Sequence, residues 1–458
     1  MKNISTTTDS WEDAHPHDLV SFSVICLPQA DVDFDELRTV STREKLDAFL
    51  PEPGVAAGVA QQLRKFGFEV LDRKLKTRAR IPQPVVSVRG PVELFQRKFD
   101  GQLKRLIRTP SRAGARTARP AIVLAPNSSQ PSPRHLAGAA RIVIARNPPV
   151  YQNSAMPSPV KAFYLHVPRD VAQLTGASST HRLRTPAGTR ATGAGVKVAI
   201  VDTGFSRHPF FQDHGYQITR VASPDTSHPE RDPGGHGTEV LANLLACAPD
   251  VHAYGVKTGD NDALAFKVAM NIPDVKVISI SMLSELTGGT TVSDCLPLQI
   301  LILQAVLDVG ITVVAAAGNG PVKTFPALME QVIAGGGVSV DAGRNLSAYP
   351  DTSSFAFAGR NVPDLCGLAS NMRLPTCPVP KWGIDDGTSF AAPQVAGVVA
   401  LLLQKKETLT PDLVRDAMKN TATDIDTGTT AFGLMAAPGP DLATGHGLVN
   451  ALEAWHSV

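Results

Sequence analysis

The sequence predicts an α/β protein whose main domain holds a doubly wound, mostly parallel sheet, preceded by a smaller α+β domain. Beyond residue 160, short apolar runs alternate with helical patterns, which is typical of strands buried on both faces. Hydrophobic residues make up 43% of the 458 residues, enough for more than one core. We expect an N-terminal domain at 1–107, a linker at 108–160 and the main domain at 161–458.

The N-terminal domain is expected to follow the order β-α-β-β-α-β. This order is the split βαβ arrangement of ferredoxin-like domains. Apolar runs and helical patterns place the strands at 19–27, 68–75, 84–88 and 103–107, and the helices at 54–66 and 92–99.

The segment 108–160 has the composition of a linker, because it is rich in Pro, Ser and Arg and poor in core-forming residues. A proline-rich linker is a candidate processing region. Its arginines raise the alternative of nucleic-acid binding, but no aromatic residues are interleaved with them and the net charge of the chain is only +2. We therefore expect a solvated linker and no nucleic-acid partner.

The main domain contains apolar runs suited to buried strands, separated by helical patterns. A parallel sheet of this kind places its functional site beyond the carboxyl ends of the strands. The strands are expected at 196–201, 275–281, 311–316 and 332–338, and the helices at 238–245, 298–307 and 390–404.

Asp202 and His236 are candidates for acid–base chemistry. Asp202 ends an apolar strand, where its carboxylate could accept an imidazole N–H and fix the tautomer. His236 lies among glycines before an apolar helix, and a histidine titrating near neutrality suits a general base. Taken singly, a turn aspartate and a capping or metal-binding histidine are equally ordinary. A helical metal pair is disfavoured, because Val240 stands where a second ligand would be needed.

Ser389 and Asn319 complete the candidate set. Pro393 fits only in the first turn of a helix, which predicts that Ser389 lies at a helix N-terminus. There a backbone N–H can stabilise a developing oxyanion. Thr388 is an equally good cap, so spacing alone does not select Ser389. The amide of Asn319 could donate to the same oxyanion, although a glycine-flanked turn asparagine is the ordinary alternative.

The four candidates occur in the order Asp, His, Asn, Ser, which contains the subtilisin triad order. The region from about 160 onward resembles the subtilisin-like serine proteases (subtilases) in its motifs AIVDTG, GGHGTEV, AAAGN and GTSFAAPQVAGVVALLL. The resemblance implies a sheet of subtilisin type and a serine endopeptidase that works through an acyl-enzyme. It also implies Asp202 as orienter, His236 as general base and acid, Ser389 as nucleophile and Asn319 as oxyanion donor.

The same resemblance implies a substrate site. Ser281, Met282 and Leu283 correspond to the strand that pairs with substrate and walls the specificity pocket, and Gly318 would line its base. The family usually has glycine where Leu283 stands, so we expect this leucine to narrow or reshape the pocket. Proteins and peptides are the implied substrates.

Subtilases often carry an α+β propeptide that assists folding and occupies the active site, and the resemblance gives this role to residues 1–107. Phe95 to Leu103 weakly resembles the propeptide of sedolisins, which use Glu and Asp with their serine. His236 and Asn319 favour subtilase chemistry instead. Two alternatives stay open: an acid-active sedolisin-type peptidase, and a latent scaffold or sensor whose protease domain stays inhibited.

No cofactor is implied, but subtilases often bind structural calcium. Four carboxylates are candidates for such a site, without a recognisable calcium spacing: Asp225, Asp232, Asp260 and Asp262.

The sequence predicts a cytoplasmic protein without a membrane partner, although secretion stays open. The first residues are polar and acidic, unlike a secretory signal, and no apolar run approaches a membrane span. Five scattered cysteines suit a reducing compartment. If the protein is exported, Cys366 and Cys377 could pair.

Overall fold

A computed structural model describes most of the chain. Leu283 and much of the expected linker lie outside the described residues. The described ranges are 8–28, 31–74, 84–109, 120–126, 128–145, 163–282, 284–287, 290–377 and 380–458.

The N-terminal part of the protein forms two antiparallel sheets. A four-stranded sheet has the order β3-β4-β2-β7, and a three-stranded sheet has the order β1-β5-β6. Helices α2 and α3 pack on the four-stranded sheet around the rings of Phe22, Phe68, Phe95 and Phe99. The elements are β1 Thr8–Asp13, β2 Leu19–Cys26, α1 Arg43–Asp47, α2 Val55–Phe66, β3 Glu69–Val70, β4 Val85–Pro91, α3 Val92–Lys98, β5 Leu103–Thr109, β6 Ala121–Leu124 and β7 Ala139–Val143.

The fourth strand of the four-stranded sheet differs from the expectation. The predicted closing strand exists as β5, but it belongs to the other sheet, and β7 lies beside β2 instead. The prediction of a linker at 108–160 is therefore wrong for β6 and β7. The surrounding prolines and arginines hide a short run that buries Ile142, whereas β5 carries charged residues among its apolar ones.

The main domain contains the remaining elements. The strands are β8 Leu165–His166, β9 Lys197–Asp202, β10 Ile218–Ala222, β11 His252–Lys257, β12 Val275–Ile280, β13 Ser284–Glu285, β14 Thr312–Ala316, β15 Thr324–Phe325, β16 Val332–Val340, β17 Leu346–Ala348, β18 Phe355–Phe357, β19 Arg360–Val362, β20 Leu365–Leu368, β21 Met372–Thr376 and β22 Lys381–Asp385. The helices are α4 Arg169–Leu174, α5 Ala177–Thr180, α6 Pro209–Asp213, α7 His236–Cys247, α8 Asp262–Met270, α9 Leu296–Leu303, α10 Thr388–Lys405, α11 Pro411–Thr421 and α12 Ala451–Ser457.

The main sheet is predominantly parallel, with helices on both faces. Its strand order is β10-β11-β9-β12-β14-β16-β17; β20 also pairs with β16, and β17 alone is antiparallel. Alternate side chains of β9 show the two faces: Val198 and Ile200 pack with α7 and α10, whereas Ala199 and Val201 pack with α8 and α9. The predicted α/β class of this domain agrees with this architecture.

The N-terminal part packs against the face of the main domain that α8 and α9 cover. Ile25 and Phe34 share an apolar core with Phe266 of α8. Lys267, which is only 1% exposed, donates from Nζ to the carbonyl oxygen of Val85 at 2.7 Å. The same ammonium lies 3.1 Å from the carboxylate of Asp72. The two parts therefore fold onto a common core and do not merely touch.

All five cysteines are buried thiols that form no disulfide. Cys366 donates to the carbonyl oxygen of Thr444, and Cys377 donates to that of Asp232. The suggested pairing of Cys366 with Cys377 is therefore not formed. None of the described helices combines the length and apolar character that a membrane span requires.

We predict that Lys267→Met destabilises the protein by about 3 kcal/mol, because the substitution leaves the partly buried Asp72 carboxylate without its buried cation. The matched control is Lys276→Met, which removes the more exposed pair with Glu407 and is expected to cost less than about 1 kcal/mol. Urea titration measures both free energies of unfolding. Equal losses in the two variants would contradict a buried ion pair between the two parts.

Candidate active site

The candidate residues meet at one edge of the main sheet. Asp202 ends β9, Ser281 follows β12, and Asn319 lies beyond the end of β14. These strands are adjacent and parallel, so their carboxyl ends lie at the same edge. The sheet thus brings together residues far apart in the chain.

Asp202 and His236 form a buried hydrogen bond. Nδ1 of His236 donates to Oδ1 of Asp202 at 2.8 Å, and both side chains are fully buried. The same carboxylate oxygen accepts the backbone N–H of Thr203 at 2.7 Å. This arrangement fixes the orientation of the imidazole and places its proton on Nδ1, which leaves Nε2 as the basic nitrogen.

The electrostatic surroundings favour the charged form of His236. Burial opposes the imidazolium, but the charge and hydrogen bond of Asp202, with the charges of Asp232 and Asp385, outweigh it and raise the pKa of His236. A proton accepted at Nε2 is therefore stabilised at this site.

Glycines allow the loops that carry Asp202 and His236 to lie in contact. A Cβ at Gly237 would lie 2.3 Å from the carbonyl oxygen of Gly204, and one at Gly204, where φ is +142°, would lie 2.3 Å from that of Arg231. Any larger residue at either position would push the two loops apart.

Ser389 is the second residue of α10, so its backbone N–H has no partner within the helix. The predicted position at a helix N-terminus agrees with the structure, but Pro393 lies inside the helix and not in its first turn. Because proline has no N–H, it leaves the carbonyl oxygen of Ser389 without its helical donor. The hydroxyl of Ser281 donates to this oxygen instead, at 2.8 Å.

The hydroxyl of Ser389 lies at the same edge of the sheet as Asp202, because it contacts Ser281 at the end of the neighbouring strand β12. It donates to the carbonyl oxygen of Ser281 at 3.2 Å. The ring of Phe390, the next residue, lies 6.2 Å from the imidazole of His236 between centroids.

The side chain of Asn319 is oriented by Thr388. Its Oδ1 accepts both the backbone N–H and the hydroxyl of Thr388, each at 3.0 Å. The Thr388 hydroxyl in turn accepts the backbone N–H of Gly318 at 3.1 Å. Holding the oxygen of the amide in this way makes Nδ2 its donor end. Thr388, which spacing alone could not separate from Ser389, thus has a distinct place in the site.

The other proposed substrate residues are buried at the same edge. Ser281 is fully buried, and Met282 packs in the core with Phe266 and Phe325. Gly318 is closely packed, because a Cβ there would lie 2.5 Å from the side chain of Thr324. Leu283 lies outside the described residues, so its effect on the pocket stays a prediction.

Asp232 is a buried carboxylate that the sequence analysis did not assign to this site. It accepts hydrogen bonds from Thr203, Gly235 and Thr238 in the loops on either side of Asp202 and His236. Four donors around one carboxylate leave no open face for a cation, so Asp232 does not fit the suggested calcium site. Among the described residues, no group of three or more His, Cys, Asp or Glu side chains could hold a metal ion.

The candidate residues have little exposed surface. Asp202 and His236 are fully buried, Ser389 is 3% exposed and Asn319 is 6% exposed.

Comparisons with known proteins agree with this geometry. The model of the subtilase family matches residues 193–447. Subtilisin E of Bacillus subtilis (strain 168) is 31% identical over 258 residues, covering 51% of this chain and 61% of that protein. Alkaline elastase YaB of Bacillus sp. (strain YaB) is 30% identical over 259 residues, covering 53% and 63%. Subtilisin of Bacillus pumilus is 31% identical over 258 residues, covering 51% and 85%. The chain thus spans about three fifths of the first two relatives, and it belongs to the subtilase family.

Proposed function

We propose that this protein is a serine endopeptidase that cleaves peptide bonds through an acyl-enzyme on Ser389. The observation that carries the proposal is the buried 2.8 Å hydrogen bond from His236 to Asp202, at the same sheet edge as a serine at a helix N-terminus. The names of the relatives, subtilisin and alkaline elastase, are consistent with this activity.

In the first half of the proposed reaction, the hydroxyl of Ser389 turns from the carbonyl oxygen of Ser281 toward Nε2 of His236. Its oxygen attacks the substrate carbonyl carbon while its proton passes to Nε2. Asp202 keeps the proton on Nδ1 and stabilises the resulting imidazolium. His236 then gives the accepted proton to the leaving amine, and the peptide C–N bond breaks.

The oxyanion would be stabilised by two donors. One is the backbone N–H of Ser389, which lies in the first turn of α10 and has no helical partner. The other is Nδ2 of Asn319, whose orientation Thr388 supports by holding Oδ1.

In the second half of the proposed reaction, water replaces the amine and His236 accepts a proton from the water as its oxygen attacks the ester carbon. The ester bond to Ser389 then breaks, and His236 returns the proton to the serine oxygen.

We further propose that the N-terminal α+β domain is a ferredoxin-like prodomain that restrains the enzyme. The sheet order β3-β4-β2-β7, with α2 and α3 on it, supports the ferredoxin-like assignment. The shared core with α8 and the low exposure of the four candidate residues support restraint. Proteins and peptides are the proposed substrates, with Ser281, Met282, Leu283 and Gly318 at the binding edge; the cytoplasmic location stays a prediction.

Labelling by a small fluorophosphonate tests the nucleophile. We expect the wild-type protein to be labelled on Ser389, more rapidly after limited trypsin digestion, and the Ser389→Ala variant to remain unlabelled. The control is Ser354→Ala, which removes another buried hydroxyl that donates to the carbonyl oxygen of Ala443. Mass spectrometry of the labelled peptide reads out the site. Equal labelling of wild type and Ser389→Ala would overturn the assignment.

The pH dependence of peptide hydrolysis follows from His236. The neutral imidazole is the base, and its pKa is raised because Asp202 outweighs the effect of burial. The acid limb of kcat/KM should therefore have its midpoint above about 6.5, the ordinary value for histidine, and fall about tenfold per pH unit below it. Steady-state kinetics from pH 4 to pH 9 measure this limb. Best activity below about pH 5 would instead indicate carboxylate chemistry of sedolisin type.

The oxyanion donors predict a graded loss of kcat. Asn319→Ala should lower kcat by about 10²- to 10³-fold with little change in KM, because it removes a donor needed mainly in the transition state. Thr388→Val should cost about tenfold, since it removes one of the two donors that hold Oδ1. Thr388→Ser keeps the hydroxyl and is the matched control. A rise in KM without a fall in kcat would show a ground-state role instead.

A further inference from the structure

We propose that Asp232 is a positioning residue of the catalytic site, whose carboxylate ties the loop after Asp202 to the loop before His236 and holds a second negative charge behind the imidazole. The proposal rests on the proposed function for its effect on catalysis. Its structural part stands on the hydrogen bonds of Asp232 alone.

Both oxygens of Asp232 are bonded within these loops. Oδ1 accepts the hydroxyl of Thr203 at 2.8 Å and the backbone N–H of Gly235 at 3.0 Å. Oδ2 accepts the backbone N–H of Thr238 at 2.9 Å and its hydroxyl at 2.7 Å. Gly235 and Thr238 flank His236, and Thr203 follows Asp202, so one side chain connects both halves of the catalytic pair.

These contacts define the charge state of Asp232. The two backbone N–H groups can only donate, and the hydroxyl of Thr238 accepts the backbone N–H of Ser206 at 3.0 Å, which directs its own proton to Asp232. A protonated carboxyl group would direct its own O–H at these groups, which are donors and cannot accept it. The hydrogen-bond donors around Asp232 therefore match a carboxylate. Asp232 is only 3% exposed, and this burial raises its pKa.

The hydroxyl of Thr203 makes the link to the catalytic carboxylate direct. Its Oγ1 lies 2.8 Å from Oδ1 of Asp232 and 3.2 Å from Oδ1 of Asp202, and it accepts the backbone N–H of Gly237 at 3.2 Å. One proton thus faces two carboxylates. Because the shorter contact is to Asp232, the hydroxyl donates mainly to that carboxylate. Oδ1 of Asp202 therefore stays available to the N–H of the imidazole.

Three carboxylates face His236 and favour its charged form: Asp202, Asp232 and Asp385 of β22. Asp202 acts by charge and by a hydrogen bond, whereas Asp232 and Asp385 act by charge alone. Replacing Asp232 by asparagine removes one charge and keeps the size of the side chain. It also places an amide N–H₂ against donors, which loosens the contact between the loops.

The first test reads His236 directly and needs no activity. Imidazole NMR titrations compare the Ser389→Ala protein with its Asp232→Asn derivative. We expect the pKa of His236 to fall by about one unit in the derivative, the shift expected for the loss of one nearby charge. An unchanged His236 titration in a folded derivative would overturn the proposal.

The second test uses turnover. In the chain with Ser389 intact, Asp232→Asn should lower kcat at least tenfold with KM little changed, and should move the acid limb of kcat/KM to lower pH. Thr203→Val should also lower kcat, because it breaks the bridge between the two loops, and Thr203→Ser, which keeps the hydroxyl, should restore kcat. This pair keeps the proposal testable if Asp232→Asn does not fold. Equal kinetics in Thr203→Val and Thr203→Ser would contradict the bridge.

The control is Asp364→Asn. Asp364 is as buried as Asp232, and it is bonded to Arg360 and to the backbone N–H of Ala334. Its replacement should destabilise the protein while the titration of His236 stays unchanged. A similar shift of the His236 pKa in both variants would mean that Asp232 has only a structural role. A shift of the His236 pKa that occurs only in Asp232→Asn would support the link to His236. If the wild-type protein then showed no peptidase activity, that result would count against the proposed function alone.

Discussion

The candidate active site of this protein depends on one buried hydrogen bond, from Nδ1 of His236 to Oδ1 of Asp202. Both side chains are fully buried, so water does not screen their interaction and their geometry must be held by the chain around them. Gly204 and Gly237 let the two loops approach to a distance that no Cβ would allow. Asp232 then joins these loops through the donors on either side. The pair, the glycines and the second carboxylate therefore form one unit.

The position of Ser389, the proposed nucleophile, depends on a second set of hydrogen bonds. Pro393 cannot donate to the carbonyl oxygen of Ser389, and Ser281 from the neighbouring strand supplies the missing hydrogen bond. Thr388 at the start of the same helix holds Asn319. Helix α10 is thus attached to the ends of β12 and β14 by polar contacts at its first turn. The serine, its carbonyl oxygen and the amide of Asn319 are positioned together because the helix cannot shift without breaking these contacts.

The N-terminal domain shows where pattern reading succeeds and where it fails. Helices α2 and α3 follow from apolar periodicity, and their bounds differ little from the predicted ones. The composition predicts a linker where strand β7 lies, because the surrounding prolines and arginines dominate the composition around its five residues. Pairing partners cannot be read from composition: β5 and β7 are both short strands, and only the packing around β2 decides which one completes the four-stranded sheet.

The sequence by itself determined the α/β class of the main domain and the candidates Asp202, His236, Asn319 and Ser389, because small residues flank each of them and apolar runs set their places at strand ends and helix starts. Only the tertiary structure decided how these residues are held. Asp232 resembles any turn aspartate in the sequence, and Thr388 any helix cap. Their roles depend on hydrogen bonds between segments far apart in the chain, at distances that only the packed sheet and helices define.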